Sequence, residues 1–186
     1  MTTNLKVRIF AFAFFLVINL PSEAKQYFTI EEAQRVLFPS AEIFERQVVK
    51  FTAREKADIE KKSGTKVRNL GNYVWMVKKG GKIIGLVVLD FVFGKHELID
   101  YAVGMTPDGK VCGIEVLVYR ESYGNEIRSE KWRAQFKGKD SAADLRLNGD
   151  IDNVSGATIS CRNVTAGVKR LVATFEIVLR PRFKLP

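Results

Sequence analysis

Four consecutive runs of β-forming residues between Tyr73 and Tyr119 constrain the fold of this chain more than any other feature. Each run is rich in Val, Ile and aromatic residues, which favour strands. Glycine-containing turns separate the runs, including Gly80-Gly81 and Pro107-Asp108-Gly109. The runs cover residues 73–78, 82–93, 98–105 and 110–119. This pattern predicts an antiparallel meander of about four strands.

Two short helices are predicted before the meander. Thr29 and Thr52 each stand three residues before a Glu, which is the signature of a capping box at the start of a helix. We expect the first helix to end before Pro39 and the second to end near Lys62. A short strand over residues 47–51 is expected between them.

One long helix is predicted after the meander. The chain is rich in loop-forming residues up to Asp150, and apolar residues at helical spacing then predict a helix over residues 159–179. The fold class is therefore α+β: an antiparallel sheet meander packed against a C-terminal helix, with short N-terminal helices.

The first 24 residues have the layout of an export signal. Lys6 and Arg8 precede an almost wholly apolar run over residues 9–20, and Ser22-Glu23-Ala24 supplies a small-residue cleavage site. The run is short for a transmembrane helix, which needs about 20 residues. We expect cleavage after Ala24 and a periplasmic or otherwise extracytoplasmic protein. A retained membrane anchor is the alternative.

After this signal the sequence divides into an N-terminal helical extension over residues 25–69 and a domain over residues 70–186.

The hydrophobic content of 46% and the charged content of 27% are those of a globular protein rather than a disordered one. The net charge is +9, but the basic residues are scattered among acidic ones, so nucleic acid is not expected as a partner. A basic surface that meets an anionic membrane or an acidic redox partner suits an exported chain better.

Three residues that often carry chemistry have plain interpretations here. Cys112 and Cys161 match no metal-binding spacing, so they either form one disulfide or remain two buried thiols. Small apolar packing is the expected role of Cys161. His96 is the only histidine, and one histidine cannot build a metal site or a catalytic triad by itself. We therefore expect His96 in an exposed turn and predict no metal site.

The segment from Asp150 to Ser160 places a turn of small residues before the long helix. Gly156 and Ala157 leave space for a bulky group beside Thr158. Because the first amides of a helix have no intrahelical partners, a phosphate held there is stabilised by those amides and by the helix dipole. The residues alone leave a plainer alternative open, in which Ser155 or Thr158 only caps the helix.

The pattern Asp152-x-x-Ser155-Gly156-Ala157-Thr158 resembles the Asp-x-x-(Ser/Thr)-Gly-Ala-Thr signature of the FMN-binding domain family. That family includes the flavin-bearing subunits of the sodium-pumping quinone reductase and of the related Rnf complex. In the family a Mg-dependent flavin transferase, working outside the cytoplasm with FAD as donor, esterifies the last threonine with FMN. The resemblance therefore implies a covalent FMN on Thr158, with the other motif residues around it.

A second part of the resemblance lies in the loop after the meander. Residues 119–127 are similar to a family loop that starts with Glu, here Glu121, and bends beside the flavin ring at Gly, here Gly124. The better-known members have Thr-Pro-Gly after the Glu, whereas this chain has Ser-Tyr-Gly. Tyr123 and Trp132 offer flat rings that could stack on the isoalloxazine, with ordinary packing as the alternative.

The two acidic residues beside the motif also need an interpretation. Asp150 and Asp152 could be mistaken for a catalytic carboxylate pair, but neighbouring residues on a loop more often cap and order it. We expect Asp152 to organise the turn or to assist flavin transfer.

The function that the resemblance implies is electron transfer by an exported flavoprotein, to or from a redox partner at the membrane. The sequence has no Rossmann glycine pattern and no Cys-x-x-Cys-His haem motif, which favours a carrier over a stand-alone enzyme. Two alternatives stay open. One is an FMN-dependent reductase module that acts on a small substrate, and the other is a non-redox binding domain.

Overall fold

The computed structural model describes residues 25–121 and 123–186, so the predicted export signal over residues 1–24 lies outside the described part. Within that part, one antiparallel sheet contains six strands in the order β1-β6-β5-β4-β3-β2. The strands are β1 Lys25–Gln26, β2 Ile43–Lys50, β3 Gly71–Lys79, β4 Lys82–Phe93, β5 Leu98–Met105 and β6 Val111–Tyr119. The predicted meander corresponds to β3–β6, each strand paired with the next, and is confirmed.

The N-terminal helices are α1, Ile30–Leu37, and α2, Ala53–Ser63. Both begin with the predicted capping box, because the Thr29 and Thr52 hydroxyls accept hydrogen bonds from the third helical amides. The intervening strand β2 is longer than predicted, since it pairs with β3 along its whole length. Residues 25–69 therefore form more than a helical extension: they also supply both edge strands of the sheet, β1 and β2.

The C-terminal helix α4, Thr158–Thr174, continues through a π-helical turn, Phe175–Leu179, into α5, Arg180–Phe183. A 3₁₀ turn, Asn125–Arg128, and the short helix α3, Glu130–Ala134, interrupt the preceding loops. The α+β class and the packing of the C-terminal helix on the sheet are as predicted. In the described residues no helix is both long and apolar enough to cross a membrane.

The sheet is apolar on both faces. One face packs against α4 through residues such as Val88, Val103 and Val168, and the other packs against α1 through residues such as Phe38 and Val87. Burial of this apolar area is the main stabilising contribution, at about 25 cal/mol for each Å² removed from water.

The two cysteines belong to opposite faces of the sheet. Cys161 is fully buried with the α4 core, whereas Cys112 packs with the α1 core, and both are free thiols. The structure therefore excludes the disulfide alternative and confirms Cys161 as a packing residue. Burial raises the pKa of the Cys112 thiol to about 11, so this thiol stays protonated at neutral pH.

A buried ionic cluster fixes α4 on the sheet. Asp90 on β4 is 2% exposed, and its carboxylate accepts hydrogen bonds from the Tyr101 hydroxyl at 2.6 Å and from Arg170 of α4. The second carboxylate oxygen accepts from the Asn69 amide at 3.0 Å. A buried carboxylate needs such partners, because an unpaired charge in the interior is strongly destabilising.

We predict that Arg170→Met lowers the free energy of unfolding by about 3–5 kcal/mol, because Asp90 would keep a buried charge without its cationic partner. The matched control is Arg162→Met on the same helix, at an exposed position, which should change stability by less than about 0.5 kcal/mol. Urea unfolding followed by circular dichroism measures both. Equal losses in the two variants would contradict the assigned role of the cluster.

Candidate cofactor site

The small-residue turn before α4 and the loop after β6 meet at one cavity of about 450 Å³. A volume of this size lies in the range of small-molecule sites, about 300–1,000 Å³. The cavity is lined by Lys95, His96, Glu121, Tyr123 and residues 156–160. Five of the predicted site residues thus lie at one cavity. Glu121 and Tyr123 come from the loop after β6, and residues 156–158 come from the turn more than 30 positions later in the sequence.

Thr158 is the first residue of α4, and its side chain is half-buried at the edge of this cavity. The N-cap is Ala157, and in the described part of the chain no side chain caps the helix. The alternative in which Ser155 or Thr158 only caps α4 is therefore wrong. The first-turn amides stay available to an anion, and Asn153 Nδ2 donates a hydrogen bond to Thr158 Oγ1 at 3.0 Å.

The turn before Thr158 depends on a left-handed backbone at Gly156. Its φ is +83°, a conformation that residues with a Cβ rarely adopt. The space around it is open, since an added Cβ would meet no atom within 4 Å. Ser155 and Gly156 are both exposed, so this turn leaves room for a bulky group next to the Thr158 hydroxyl.

Tyr119, at the end of β6, connects the loop to the helix. Its hydroxyl donates to the Tyr123 carbonyl at 2.6 Å and lies 3.1 Å from Ser160 Oγ. Gly124 has φ +84°, and a Cβ there would lie 2.8 Å from Tyr119 Oη and 3.1 Å from Ala157 Cα. The loop and the start of α4 therefore pack backbone against backbone, which is the physical reason for glycine at position 124.

Glu121 lines the cavity, but one of its carboxylate oxygens accepts hydrogen bonds from the protein itself. Its Oε1 accepts hydrogen bonds from the amides of His96 at 2.6 Å and Glu97 at 3.0 Å. Partial burial raises the pKa of this carboxyl, but these amides outweigh burial and hold the pKa below its usual value. Glu121 thus fixes the β4–β5 turn at the cavity, where His96 is exposed, as predicted.

The two aromatic residues considered for stacking differ in position. Trp132 is 2% exposed, packs edge-on against Phe136 and donates its indole N–H to the Asp152 carbonyl at 2.9 Å. It is absent from the cavity lining, so stacking of a cofactor on Trp132 is not supported, and its role is to hold the segment before the motif. Tyr123 is 85% exposed and lines the cavity, so its ring is accessible.

Asp150, rather than Asp152, orders the loop before the motif. The Asp150 carboxylate accepts from the amides of Leu145 and Arg146 and from Lys139 Nζ. Asp152 is held through its backbone, and among the described residues none donates a hydrogen bond to its exposed carboxylate. The Asp152 carboxylate is therefore not what orders this turn, and its assistance to flavin transfer, the other role expected of it, stays a prediction.

We predict that Gly124→Ala destabilises the protein more than Gly138→Ala does. Both glycines have φ above +80°, so each substitution introduces the backbone strain of the left-handed region, about 1–2 kcal/mol. Only the Cβ at position 124 also clashes, which adds at least about 1 kcal/mol, because position 138 faces open space. Urea unfolding measures the difference, and equal effects would contradict the close contact with Ala157.

Comparison with known proteins finds a family match over part of the chain. The FMN-binding domain family matches residues 94–173, which contain β5, β6, α3 and most of α4. The chain is 34% identical over 105 residues to a component of the proton-translocating ferredoxin:NAD(+) oxidoreductase complex of Clostridium ljungdahlii. That alignment covers 53% of this chain and 57% of the relative, which is just over half of each.

Two further matches cover more of the chain. A component of the ion-translocating oxidoreductase complex of Methanosarcina acetivorans is 29% identical over 147 residues, covering 74% of this chain and 77% of that relative. The crystal structure of Shewanella oneidensis NqrC aligns with a TM-score of 0.47 at 22% identity, covering 76% of this chain and 80% of NqrC. Residues 94–173, which include the predicted Thr158 motif, match the FMN-binding domain family, so the resemblance predicted from the sequence is confirmed over this part of the chain.

Proposed function

We propose that this chain is an exported flavoprotein that carries FMN in phosphoester linkage to Thr158 and transfers electrons to or from a redox partner at the membrane. One observation carries the proposal. The Thr158 hydroxyl stands on the first turn of α4, which has no side-chain cap, at the edge of a cavity of about 450 Å³ and within the segment that matches the family.

The residues around the cavity fit the chemistry of FMN. The free amides of the first helical turn and the positive end of the helix dipole favour a phosphate beside Thr158. Lys95 adds a cationic side chain to the lining, and Tyr123 adds an accessible aromatic ring. The open turn at Gly156 leaves room for the rest of the group.

FMN, when bound, supplies the redox chemistry, and the chain supplies attachment and orientation. Glu121 holds the β4–β5 turn against the cavity through its two amide contacts, so the wall that carries Lys95 and His96 is fixed. The carboxylate stays ionised at neutral pH because its pKa is lowered. Covalent attachment keeps the cofactor on a protein that works outside the cytoplasm, where a dissociated flavin would be lost.

The expected maturation partner is a flavin transferase that uses FAD. In this step the Thr158 oxygen forms a bond to the FMN phosphorus while the pyrophosphate bond of FAD breaks. AMP leaves, and the hydroxyl proton is released to the transferase or to solvent. The hydrogen bond from Asn153 Nδ2 occupies one lone pair of Oγ1 and so limits the directions in which the hydroxyl can point.

The names of the relatives support electron transfer with other proteins. The relatives from Clostridium ljungdahlii and Methanosarcina acetivorans belong to oxidoreductase complexes that translocate protons or ions. We infer that this chain also exchanges electrons with a membrane-bound partner. The cavity beside Thr158 has the volume for one cofactor, and a flavin bound there would suit a carrier, because electrons can enter and leave without a separate substrate site.

We predict that Thr158→Ala abolishes covalent flavin while the protein still folds, because only the attacking oxygen and a methyl group are lost. Thr158→Ser keeps a hydroxyl and is expected to retain partial modification. The readouts are the intact mass after co-expression with a flavin transferase and the fluorescence of the denatured band.

Ser155→Ala is the matched control, because it removes a nearby hydroxyl from the same turn and should leave the flavin mass in place. If covalent flavin persists in Thr158→Ala but is lost in Ser155→Ala or Thr165→Ala, the attachment site is not Thr158 but the residue whose substitution removes the flavin. If the unmutated chain never gains the mass of FMN, the covalent proposal fails.

Export is predicted to remove residues 1–24, so N-terminal sequencing of the exported protein should begin at Lys25. The physical reason is the order of basic, apolar and small residues in that segment. A mature protein that still begins at Met1 and needs detergent for extraction would instead identify a retained anchor.

A further inference from the structure

A second cavity of about 380 Å³ lies between the loop after α2, the end of β4 and the outer side of α4. Four cationic side chains line it: Lys66, Arg68, Arg162 and Arg170. Its lining in the described structure contains no acidic residue and shares no residue with the cavity at Thr158. It is therefore a second, strongly basic site, separate from the proposed cofactor site.

Only part of this positive charge is balanced by the protein. Asp90 pairs with Arg170, and Glu60 lies 3.4 Å from Lys66. Arg68 and Arg162 are exposed and form no ion pair among the described residues. Both line the same cavity, and two like charges that share a cavity without a counter-charge repel each other, so an anion bound there would relieve that repulsion.

The floor of the cavity is rigid because the buried Asp90 cluster holds it. Arg170 donates to Asp90 and, at 3.4 Å, to the Lys66 carbonyl, so one side chain ties α4 to the loop after α2. Asn69, from the same loop, donates to the other oxygen of Asp90. The backbone segments that carry Arg68 and Arg162 are thus fixed relative to each other before any ligand binds, which lowers the entropy lost on binding.

The wall of the cavity is aromatic. Phe91 and Phe93, on the same face of β4, are 39% and 50% exposed, and both line the site. The Arg68 guanidinium carbon lies 5.9 Å from the centroid of the Phe93 ring. An ionic centre beside an exposed apolar wall suits a ligand with an anionic head and an organic body.

We propose that this cavity binds a phosphate group carried by an organic molecule, independently of the flavin site. Planar guanidinium forks match the oxygens of a phosphate, which is why arginine prevails where phosphate is recognised. Arg68 and Arg162 together match the charge of one phosphate group. A soluble phosphate ester and the headgroup of an anionic phospholipid share this chemistry.

The test is isothermal titration calorimetry on the full chain with three soluble probes. They are inorganic pyrophosphate, dihexanoyl phosphatidylglycerol below its micelle concentration, and dihexanoyl phosphatidylcholine as the zwitterionic control. We expect pyrophosphate or the phosphatidylglycerol to bind, with an affinity that falls as NaCl rises. Tighter binding of the lipid analogue assigns the site to a headgroup, and tighter binding of pyrophosphate assigns it to a soluble ester.

Three variants locate the binding. Arg68→Gln and Arg162→Gln should each weaken it about tenfold, the usual effect of losing one charge-assisted hydrogen bond. Arg35→Gln, an exposed arginine of α1 on the other face of the sheet, is the matched control and should have no effect. Arg170 is left intact because its loss would leave Asp90 unpaired.

Thr158→Ala separates the test of this phosphate site from the test of the flavin proposal. This variant should bind the anionic probe with unchanged affinity, whether or not FMN is attached to the parent protein. The phosphate-site proposal is overturned if neither anionic probe binds, if Arg35→Gln weakens binding as much as Arg68→Gln, or if Thr158→Ala abolishes binding. A hexaglutamate peptide is titrated in addition to these three probes. If it binds more tightly than both anionic probes, the surface is assigned to an acidic protein and the proposal is also overturned.

Discussion

Asp90 carries a buried negative charge, and the surrounding structure has to supply the hydrogen-bond donors and the cation that stabilise it. Its carboxylate lies on the central strand β4, under α4, and collects donors from β5, α4 and the loop after α2. Because these donors come from three elements, the cluster fixes the helix on the sheet in both position and rotation. Apolar contacts alone tolerate small shifts, whereas a buried ion pair tolerates them poorly. The placement of the start of α4 follows from this constraint.

The two cavities lie on either side of the first turns of that helix. One contains the Thr158 hydroxyl and the first-turn amides, and the other contains the guanidinium groups of Arg68 and Arg162. Asn163, in the lining of the second cavity, donates a hydrogen bond to the Phe93 carbonyl at 2.6 Å and so connects α4 to the end of β4. Both sites favour anions for different reasons, helix amides in one and side-chain charge in the other.

The proposed cofactor site is shaped mainly by residues that do not line the cavity but hold in place the segments that do. Tyr119 joins the loop after β6 to α4, and Trp132 holds the carbonyl of Asp152. Asp150 orders the loop before the motif through two amides and Lys139. The contacts of Tyr119 with Ser160 and of Trp132 with Asp152 link residues far apart in sequence, so no local pattern could predict them.

The sequence alone determined the features that arise from neighbouring residues. Capping boxes at Thr29 and Thr52, the meander, the long C-terminal helix and the small-residue turn before Thr158 all depend on short-range spacing, which is visible in one dimension. Only the tertiary structure decided which side chains share a cavity. Trp132 is buried, and Arg68 lines the same cavity as Arg162, because chain folding and burial, not spacing, decide where these groups lie.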